Sequence, residues 1–121
     1  TRNFAIRIVR LYRKLPVTPE ARVIGSQLLR SGTSVGANYR AVCRARSKTE
    51  FAAKTGLVIE EADETVFWLE LLLSLGIFRE NQLKDLLSEA NQLLAIFVSS
   101  RRTVLRVDKR EESTASHQRV R

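Results

Sequence analysis

Residues 47–76 read SKTEFAAKTGLVIEEADETVFWLELLLSLG. Ser47 and Glu50 have the S-x-x-E spacing in which each side chain accepts a hydrogen bond from a backbone N–H that a new helix leaves free. An apolar stripe with helical spacing follows, and it consists of Phe51, Val58, Ala62, Thr65, Leu69 and Leu73. Gly76 supplies the left-handed residue that commonly ends a helix. The segment therefore predicts one long helix, ~40 Å at 1.5 Å per residue.

The same helix carries a second apolar face, which a bundle helix with a single core does not need. An aromatic anchor among apolar and charged side chains is typical of a subunit interface. We therefore predict an oligomer interface formed by Leu57, Glu61, Glu64, Trp68, Leu71 and Leu75. Glu61 or Glu64 is expected to pair with an arginine of helix one or two of another copy. The alternative is a bundle wide enough to bury both faces.

A helical segment of similar length precedes this one. Thr18 provides an N-cap oxygen, Pro19 suits the first helical position, and Glu20 lies at the positive end of the helix dipole. One stripe continues to about residue 45, and its members are Ile24, Leu28, Val35, Tyr39 and Val42. Matched lengths and a short joint predict that helices two and three form an antiparallel hairpin.

Three glycines, Gly25, Gly32 and Gly36, lie on or beside the stripe of helix two. Each costs ~1 kcal/mol of helix stability relative to alanine, so a structural reason is expected. We predict close packing of another helix against them, because small side chains allow two backbones to approach. The alternative is a platform on which the backbone of a ligand lies close to the helix.

Two further helices flank the hairpin. Helix one, residues 2–15, has an apolar stripe and is stopped by Pro16; the stripe is Phe4, Ile8, Leu11, Tyr12 and Leu15. Helix four has the most regular stripe, which is Leu83, Leu86, Leu87, Ala90, Leu93, Leu94 and Phe97. Arg101 falls on the continuation of that stripe, so the packed part is expected to end near residue 100.

The pattern predicts an all-α fold, an antiparallel up-down-up-down four-helix bundle. Its length of 121 residues corresponds to one domain. We place the bundle at residues 1–104. Residues 105–121 are polar and without helical periodicity, and they predict a basic, disordered C-terminal tail.

The composition excludes several classes of function. One cysteine, Cys43, and one histidine, His117, exclude an intrachain disulfide and a His/Cys metal site. The acids of helix three lack the Glu-x-x-His pattern of bundle metal sites, and no histidine in the folded part can act as a base for a nucleophile. We therefore expect no metal, no cofactor and no enzymatic activity. No signal-peptide core and no stretch of ~20 apolar residues is visible, which predicts a cytoplasmic protein without a membrane partner.

The charges are unevenly distributed. The net charge is +8, and helix one carries five basic residues and no acid, whereas helix three carries six acids and two lysines. A basic helical face favours a polyanion as partner, and contacts to phosphates would make binding salt-dependent. The candidate residues for binding RNA or DNA are Arg7, Arg10, Lys14, Arg22, Arg30, Arg40 and Arg44. The alternatives are a solvated face, or arginines paired with acids of a neighbour in a protein-interaction scaffold.

Long runs of the chain resemble a known family. These runs are GSQLLRSGTSVGANYR at 25–40, CRARSK at 43–48, EEADE at 60–64 and WLELL at 68–72. They resemble the bacterial four-helix bundle protein family, whose members include proteins encoded in intervening sequences of 23S ribosomal RNA genes. The resemblance extends over about residues 4–100, and the tail has none.

The resemblance implies an antiparallel four-helix bundle that assembles as a homo-oligomer, a pentameric ring. It implies no established catalytic activity and a suspected role in binding nucleic acid. A related branch of the family works beside the reverse transcriptase of diversity-generating retroelements. That branch offers the alternative of an accessory subunit that binds a protein partner and has no direct contact with nucleic acid.

Overall fold

The computed structural model describes the backbone of residues 1–120 and the side chains of residues 1–116. Residue 121 and the side chain of His117 lie outside the described residues. The elements are four helices, α1 Arg2–Arg13, α2 Pro19–Val42, α3 Lys48–Ser74 and α4 Glu80–Val120. No strand occurs within residues 1–120, so the predicted all-α class is confirmed.

The helix starts follow from local chemistry. The Thr18 hydroxyl accepts a hydrogen bond from the Ala21 N–H at 3.3 Å, with Pro19 in the first turn. At the start of α3, the Ser47 hydroxyl accepts from the Glu50 N–H at 3.0 Å, and the Glu50 carboxylate accepts from the Arg46 N–H. The Thr18 and Ser47 contacts each satisfy an N–H that the helix geometry leaves without a partner, and the Glu50 contact holds the residue before the N-cap.

The end of α3 is a Schellman closure. Gly76 has a φ of 69°, which side chains disfavour and glycine tolerates. The Ile77 N–H donates to the Leu72 carbonyl at 3.2 Å, and the Gly76 N–H donates to the Leu73 carbonyl at 3.0 Å. These are the two hydrogen bonds of the motif, and they reverse the chain into α4.

Neighbouring helices run antiparallel. Ile8 lies over Gly32, whereas the later Leu15 lies over the earlier Gly25, which fixes the direction of α1 on α2. Only five residues join α2 to α3, which favours antiparallel packing of that pair. On α3 and α4, Ala52 contacts Arg101, while the earlier Lys48 contacts the later Glu111. The four helices form a bundle in which α3 packs extensively on α2 and α4, and α1 lies mainly on α2.

The core consists largely of the predicted stripes, with Val66, Leu72 and Phe78 added. The largest fully buried apolar side chains come from all four helices, namely Phe4, Ile8, Leu28, Val35, Val58, Leu69, Leu72 and Leu83. Two buried hydroxyls, Ser31 and Thr65, share a hydrogen bond of 3.0 Å between α2 and α3. No buried side-chain polar atom within the described region lacks a partner. Burial of each apolar side chain contributes about 1.5–3 kcal/mol before entropy is counted.

The C-terminal region differs from the prediction of a disordered tail after residue 104. The helix α4 continues without interruption to Val120. Arg101 does not mark the end of packing, because its Nε donates to the Ala52 carbonyl of α3 at 3.0 Å. Lys48 forms a salt bridge with Glu111. Charged residues such as Lys, Arg and Glu are good helix formers even without an apolar stripe. Their helix propensity indicates the extension of α4, which the search for periodicity does not detect.

Candidate nucleic-acid interface

The close contact between α1 and α2 depends on two glycines. A Cβ at Gly32 would lie 2.8 Å from two carbons of Ile8, and a Cβ at Gly25 would lie 2.4 Å from Leu15 Cδ1. At Gly36 the nearest side-chain atom, Ala5 Cβ, is 3.5 Å away, which is an ordinary contact distance. The first two glycines therefore hold α1 close to α2, and Gly36 lies where the two helices begin to separate.

Two surface grooves flank the contact between α1 and α2, one beside Gly36 and one at the joint between the helices, and each has an arginine from either helix. The larger one, with a volume of about 740 Å³, is here called the Arg2–Arg40 groove; its lining is Thr1, Arg2, Ala5, Thr33, Gly36, Ala37, Tyr39, Arg40 and Cys43. The second, here called the Arg13–Arg22 groove, is lined by Tyr12, Arg13, Leu15, Pro16, Val17, Ala21 and Arg22. Neither lining includes an acidic residue.

The four arginines of these grooves are exposed and form no salt bridge with any described residue. Arg22 and Arg40 belong to the candidate set from the sequence. Arg2 and Arg13 do not, although both lie on the polar arc of α1. The signal that identifies them is the antiparallel register of α1 on α2, which brings opposite ends of the two helices together.

Three more candidate residues are exposed without an ion pair in the described part of the chain. Arg10 and Lys14 lie on the α4 side of α1, where they share a shallow depression with Gln82 and Leu86. Arg44 lies in the exposed joint after α2. These residues extend the positive surface, but they do not share the grooves between α1 and α2.

The two remaining candidate arginines are engaged by acids of the same chain. Arg7 forms a salt bridge with Glu89 of α4. Arg30 forms one with Glu64 and another, of 3.2 Å, with Glu61. The prediction of a free Arg30 on a phosphate-binding face is therefore corrected, because the register of α2 on α3 places two carboxylates beside it.

Glu61 and Glu64 also differ from their predicted role. The prediction pairs Glu61 or Glu64 with an arginine of helix one or two of another copy, whereas the structure places both carboxylates against Arg30 of the same chain. Glu64 additionally accepts a hydrogen bond from Trp68 Nε1 at 3.1 Å. We refer to Arg30, Glu61, Glu64 and Trp68 as the Arg30 cluster. It connects α2 to α3 within one protomer.

The apolar residues of the predicted oligomer interface remain at the surface of the described chain. Leu57 and Leu75 are 53% and 54% exposed. Trp68 and Leu71 are partly buried and pack against the core. Phe67 was missed by the sequence analysis; it is 53% exposed and its ring meets that of Trp68 edge-on, with centroids 4.8 Å apart. We call Leu57, Phe67, Leu71 and Leu75 the outer α3 face.

Tyr39 differs from its predicted place in the core stripe. It is 36% exposed and lines the Arg2–Arg40 groove, while its ring packs against Phe97 of α4 at a centroid distance of 5.7 Å. A hydrogen bond with the Cys43 side chain, then the charge of Cys43 and burial, raise the pKa of Tyr39 above its ordinary value. The Tyr39 hydroxyl is therefore neutral near pH 7.

No group of three or more metal-ligating side chains occurs among residues 1–116. Cys43 is exposed, and no histidine lies in that part of the sequence to act as its base. None of the described helices combines the length and apolarity needed to cross a bilayer.

These features define a class, a small four-helix bundle with a basic α1–α2 surface and an apolar outer face on α3. The chain belongs to the 23S rRNA-intervening sequence protein family, whose model matches residues 1–99. It is similar to a solved structure from Bacteroides thetaiotaomicron, described as a protein of unknown function from the S23 ribosomal protein family. That match has 35% identity and a TM-score of 0.76, and it covers 82% of this chain and 92% of the other. No curated protein shows significant similarity.

Proposed function

We propose that this protein is a non-enzymatic homo-oligomer that binds nucleic acid through phosphate contacts on the outer surface of α1 and α2. The observation that carries the proposal is the pair of grooves in which Arg2, Arg13, Arg22 and Arg40 are exposed with no acid in the lining. Guanidinium groups match phosphate oxygens in geometry and charge. Such contacts fix the position of a nucleic acid without reading its sequence.

RNA is the first nucleic acid to test. The family is described by reference to 23S rRNA, and the solved relative by reference to a ribosomal protein family. The sequence has no zinc-finger spacing, no RRM aromatic pair and no KH loop. We therefore expect recognition of backbone and shape.

The test is filter binding of a structured RNA at low and at physiological salt. If the four groove arginines each neutralise one phosphate, the plot of log affinity against log salt has a slope of about −3 to −4. Replacing Arg2, Arg13, Arg22 and Arg40 together by Gln is expected to abolish most of that slope. Weak wild-type binding with a flat salt dependence contradicts the proposal.

We also propose that the outer α3 face is the contact between copies, because Leu57, Phe67 and Leu75 leave more than half of their surface exposed. Large apolar side chains left exposed along one helix are typical of an interaction site. Native mass spectrometry is expected to find a ring, a pentamer. Phe67→Glu with Leu75→Glu is expected to yield monomers, whereas the control Val17→Glu, on the joint between α1 and α2, leaves the assembly unchanged. A monomeric wild-type protein at micromolar concentration overturns this part.

A second candidate function is a protein-interaction scaffold or accessory subunit, and the same outer α3 face favours it. The two functions differ in what the groove arginines contact. In a scaffold, the four groove arginines are occluded by acids of a neighbour, and the salt slope for RNA is flat. In the nucleic-acid-binding protein, the assembled ring retains steep salt-dependent binding to RNA.

A further inference from the structure

The Arg2–Arg40 groove differs from the Arg13–Arg22 groove in what lies between its arginines. Its lining includes the small side chains of Ala5 and Ala37 and the bare backbone of Gly36. The partly exposed Tyr39 belongs to the same lining. A ligand with a bulky backbone can therefore lie close to the protein here. The same cavity contains arginines from both helices and an aromatic ring.

We propose that the Arg2–Arg40 groove holds an unpaired nucleotide of a single-stranded nucleic acid, with its phosphate at Arg2 and Arg40 and its base against Tyr39. This inference rests on the proposed function, and it adds the strand state of the ligand and the place of the base. Single-strand binding sites combine a positive groove for the backbone with aromatic rings for the bases. Both elements are present here.

The chemistry of the groove favours an unpaired nucleotide over a duplex. In a duplex the faces of the bases are stacked on one another. The ring of Tyr39 in the protein groove therefore has no base face to contact. A base in a loop, bulge or single strand has a free face. The outer surface of a duplex still presents phosphates, so both forms reach the arginines, and Tyr39 discriminates between them.

The ring of Tyr39 is held in place before a ligand binds. It packs against Phe97, which is itself 5% exposed and part of the core. A ring that is already immobilised loses little side-chain entropy when a base stacks on it. The neutral hydroxyl brings no negative charge that would repel a phosphate.

The groove contains its own reporter, because Cys43 lines it and is the only cysteine of the chain. Its thiol is exposed. We would measure the rate of Cys43 alkylation by a small maleimide in the folded protein, alone and with an oligouridylate of about 12 nucleotides, a length within the usual single-strand site sizes. A blunt RNA duplex of equal length is the comparison ligand.

The expected result is that saturating oligouridylate slows the alkylation of Cys43 at least about fivefold, while the duplex slows it less than about twofold. Arg2→Gln with Arg40→Gln removes the protection. The matched control, Arg13→Gln with Arg22→Gln, removes the same charge from the other groove and retains protection once the oligonucleotide concentration is raised to saturation.

Two variants test the role of the aromatic ring. Tyr39→Phe keeps the ring and is expected to bind oligouridylate as the wild type does, within about twofold. Tyr39→Leu loses about fivefold or more in affinity, the cost of one base-stacking contact. If Tyr39→Leu does not fold, the inference is tested by the two arginine-pair variants and by the comparison between single strand and duplex.

The outcomes distinguish this inference from the function on which it rests. Salt-dependent binding of oligouridylate without protection of Cys43, or equal protection by the duplex, overturns the single-strand site and leaves the proposed function intact. Absence of any salt-dependent binding overturns both. Protection of Cys43 that grows with protein concentration alone shows that a second copy occupies the groove, and it also overturns the inference.

Discussion

Helix α2 contributes arginines to the α1–α2 surface and to the Arg30 cluster, where α2 packs on α3. The two sets differ in whether an acid of the same chain compensates their charge. Arg22 and Arg40 lie in grooves without an acid, whereas Arg30 is held between Glu61 and Glu64. The difference comes from the neighbouring helix, since α1 has no acid and α3 has six. An arginine is therefore available to a ligand only where the helix beside it leaves its charge uncompensated.

The largest expected effect concerns the contact that builds the grooves. Gly32→Leu places a side chain where even a Cβ would lie 2.8 Å from Ile8. We expect the free energy of unfolding to fall by about 3 kcal/mol, the upper part of the range for overpacking. Denaturant unfolding measures the change. RNA binding is expected to weaken as well, because α1 no longer presents Arg2 and Arg13 beside α2.

The matched control is Gly36→Ala, where the new Cβ would meet Ala5 at 3.5 Å without a clash. The helix gains up to about 1 kcal/mol from the better propensity of alanine. Equal destabilisation by both variants would show that the contact of α1 on α2 is not specific to Gly32.

The second prediction compares two pairs of arginines that carry the same charge. Arg13→Gln with Arg22→Gln removes two uncompensated charges, and we expect affinity for RNA at low salt to fall about tenfold. The salt slope is expected to decrease by about 1.4 to 1.8. Arg7→Gln with Arg30→Gln removes two paired charges and is expected to change affinity less than about twofold. Filter binding at several salt concentrations measures both.

If the two pairs reduce affinity equally, binding responds to net charge alone. The distinction between the groove arginines and the arginines paired with acids of the same chain then has no functional meaning. The Arg7 and Arg30 variant also serves as a control for general electrostatic attraction, because it changes the net charge by the same amount.

The third prediction concerns stability, for which the paired Arg30 is expected to matter more than the unpaired Arg22. Arg30→Gln leaves Glu61 and Glu64 without their cation, and Arg22→Gln leaves no charge without a partner. Because the Arg30 side chain is 46% exposed, solvent screens the pairs, and we expect a loss of about 1 kcal/mol or less. Arg22→Gln is expected to be neutral in the same denaturant titration. Arg30→Lys recovers only part of the loss, since an ammonium group cannot offer the planar fork of a guanidinium to two carboxylates.

A stability loss in Arg22→Gln as large as that in Arg30→Gln would mean that Arg22 has a structural partner in the assembled protein. That outcome would move Arg22 from the binding surface to an interface between copies.

The sequence predicted those parts of the fold that depend on interactions between residues close together in the chain. Thr18, Ser47 and Gly76 act on their own helix ends, and the apolar stripes follow from a period that is read along a single segment. The pairing of Arg30 is different, because it depends on the register between α2 and α3, which no single helix reveals. The Arg2–Arg40 groove depends in the same way on where α1 lies along α2.

The extension of α4 was missed for a related reason. Its residues after 104 have no apolar stripe, and the prediction weighed periodicity above propensity. The contacts of α4 with Ala52 and Lys48 of α3 are made by two charged side chains, Arg101 and Glu111. A search for apolar spacing does not detect contacts of that kind.

The smallest expected effect concerns a third charge arrangement, at the start of α3. The hydrogen bond from Lys54, followed by that from the Arg46 N–H, holds the pKa of Glu50 below its ordinary value. A depressed pKa means that the ionised carboxylate stabilises the folded state above the pKa of the unfolded chain, and that this contribution is lost as the pH falls through the folded value. We expect the amides of the first turn of α3 to exchange faster once the pH falls below the ordinary pKa of a glutamate and through that of Glu50, after correction for the intrinsic pH dependence of exchange.

Two variants locate the cause of that pH dependence. Lys54→Gln removes the largest influence, so the pKa of Glu50, followed by carboxyl NMR, is expected to rise toward its ordinary value. Glu50→Gln keeps an acceptor but does not titrate, so the pH dependence of amide exchange in this turn is expected to disappear. An unchanged Glu50 pKa in Lys54→Gln would assign the shift to the Arg46 N–H, and Lys54 would then resemble the groove arginines in having no effective partner. The salt bridge between Lys54 and Glu50 is a second case of the pairing seen at Arg30, with both side chains 33% exposed, and this titration determines whether such pairing is maintained in solution.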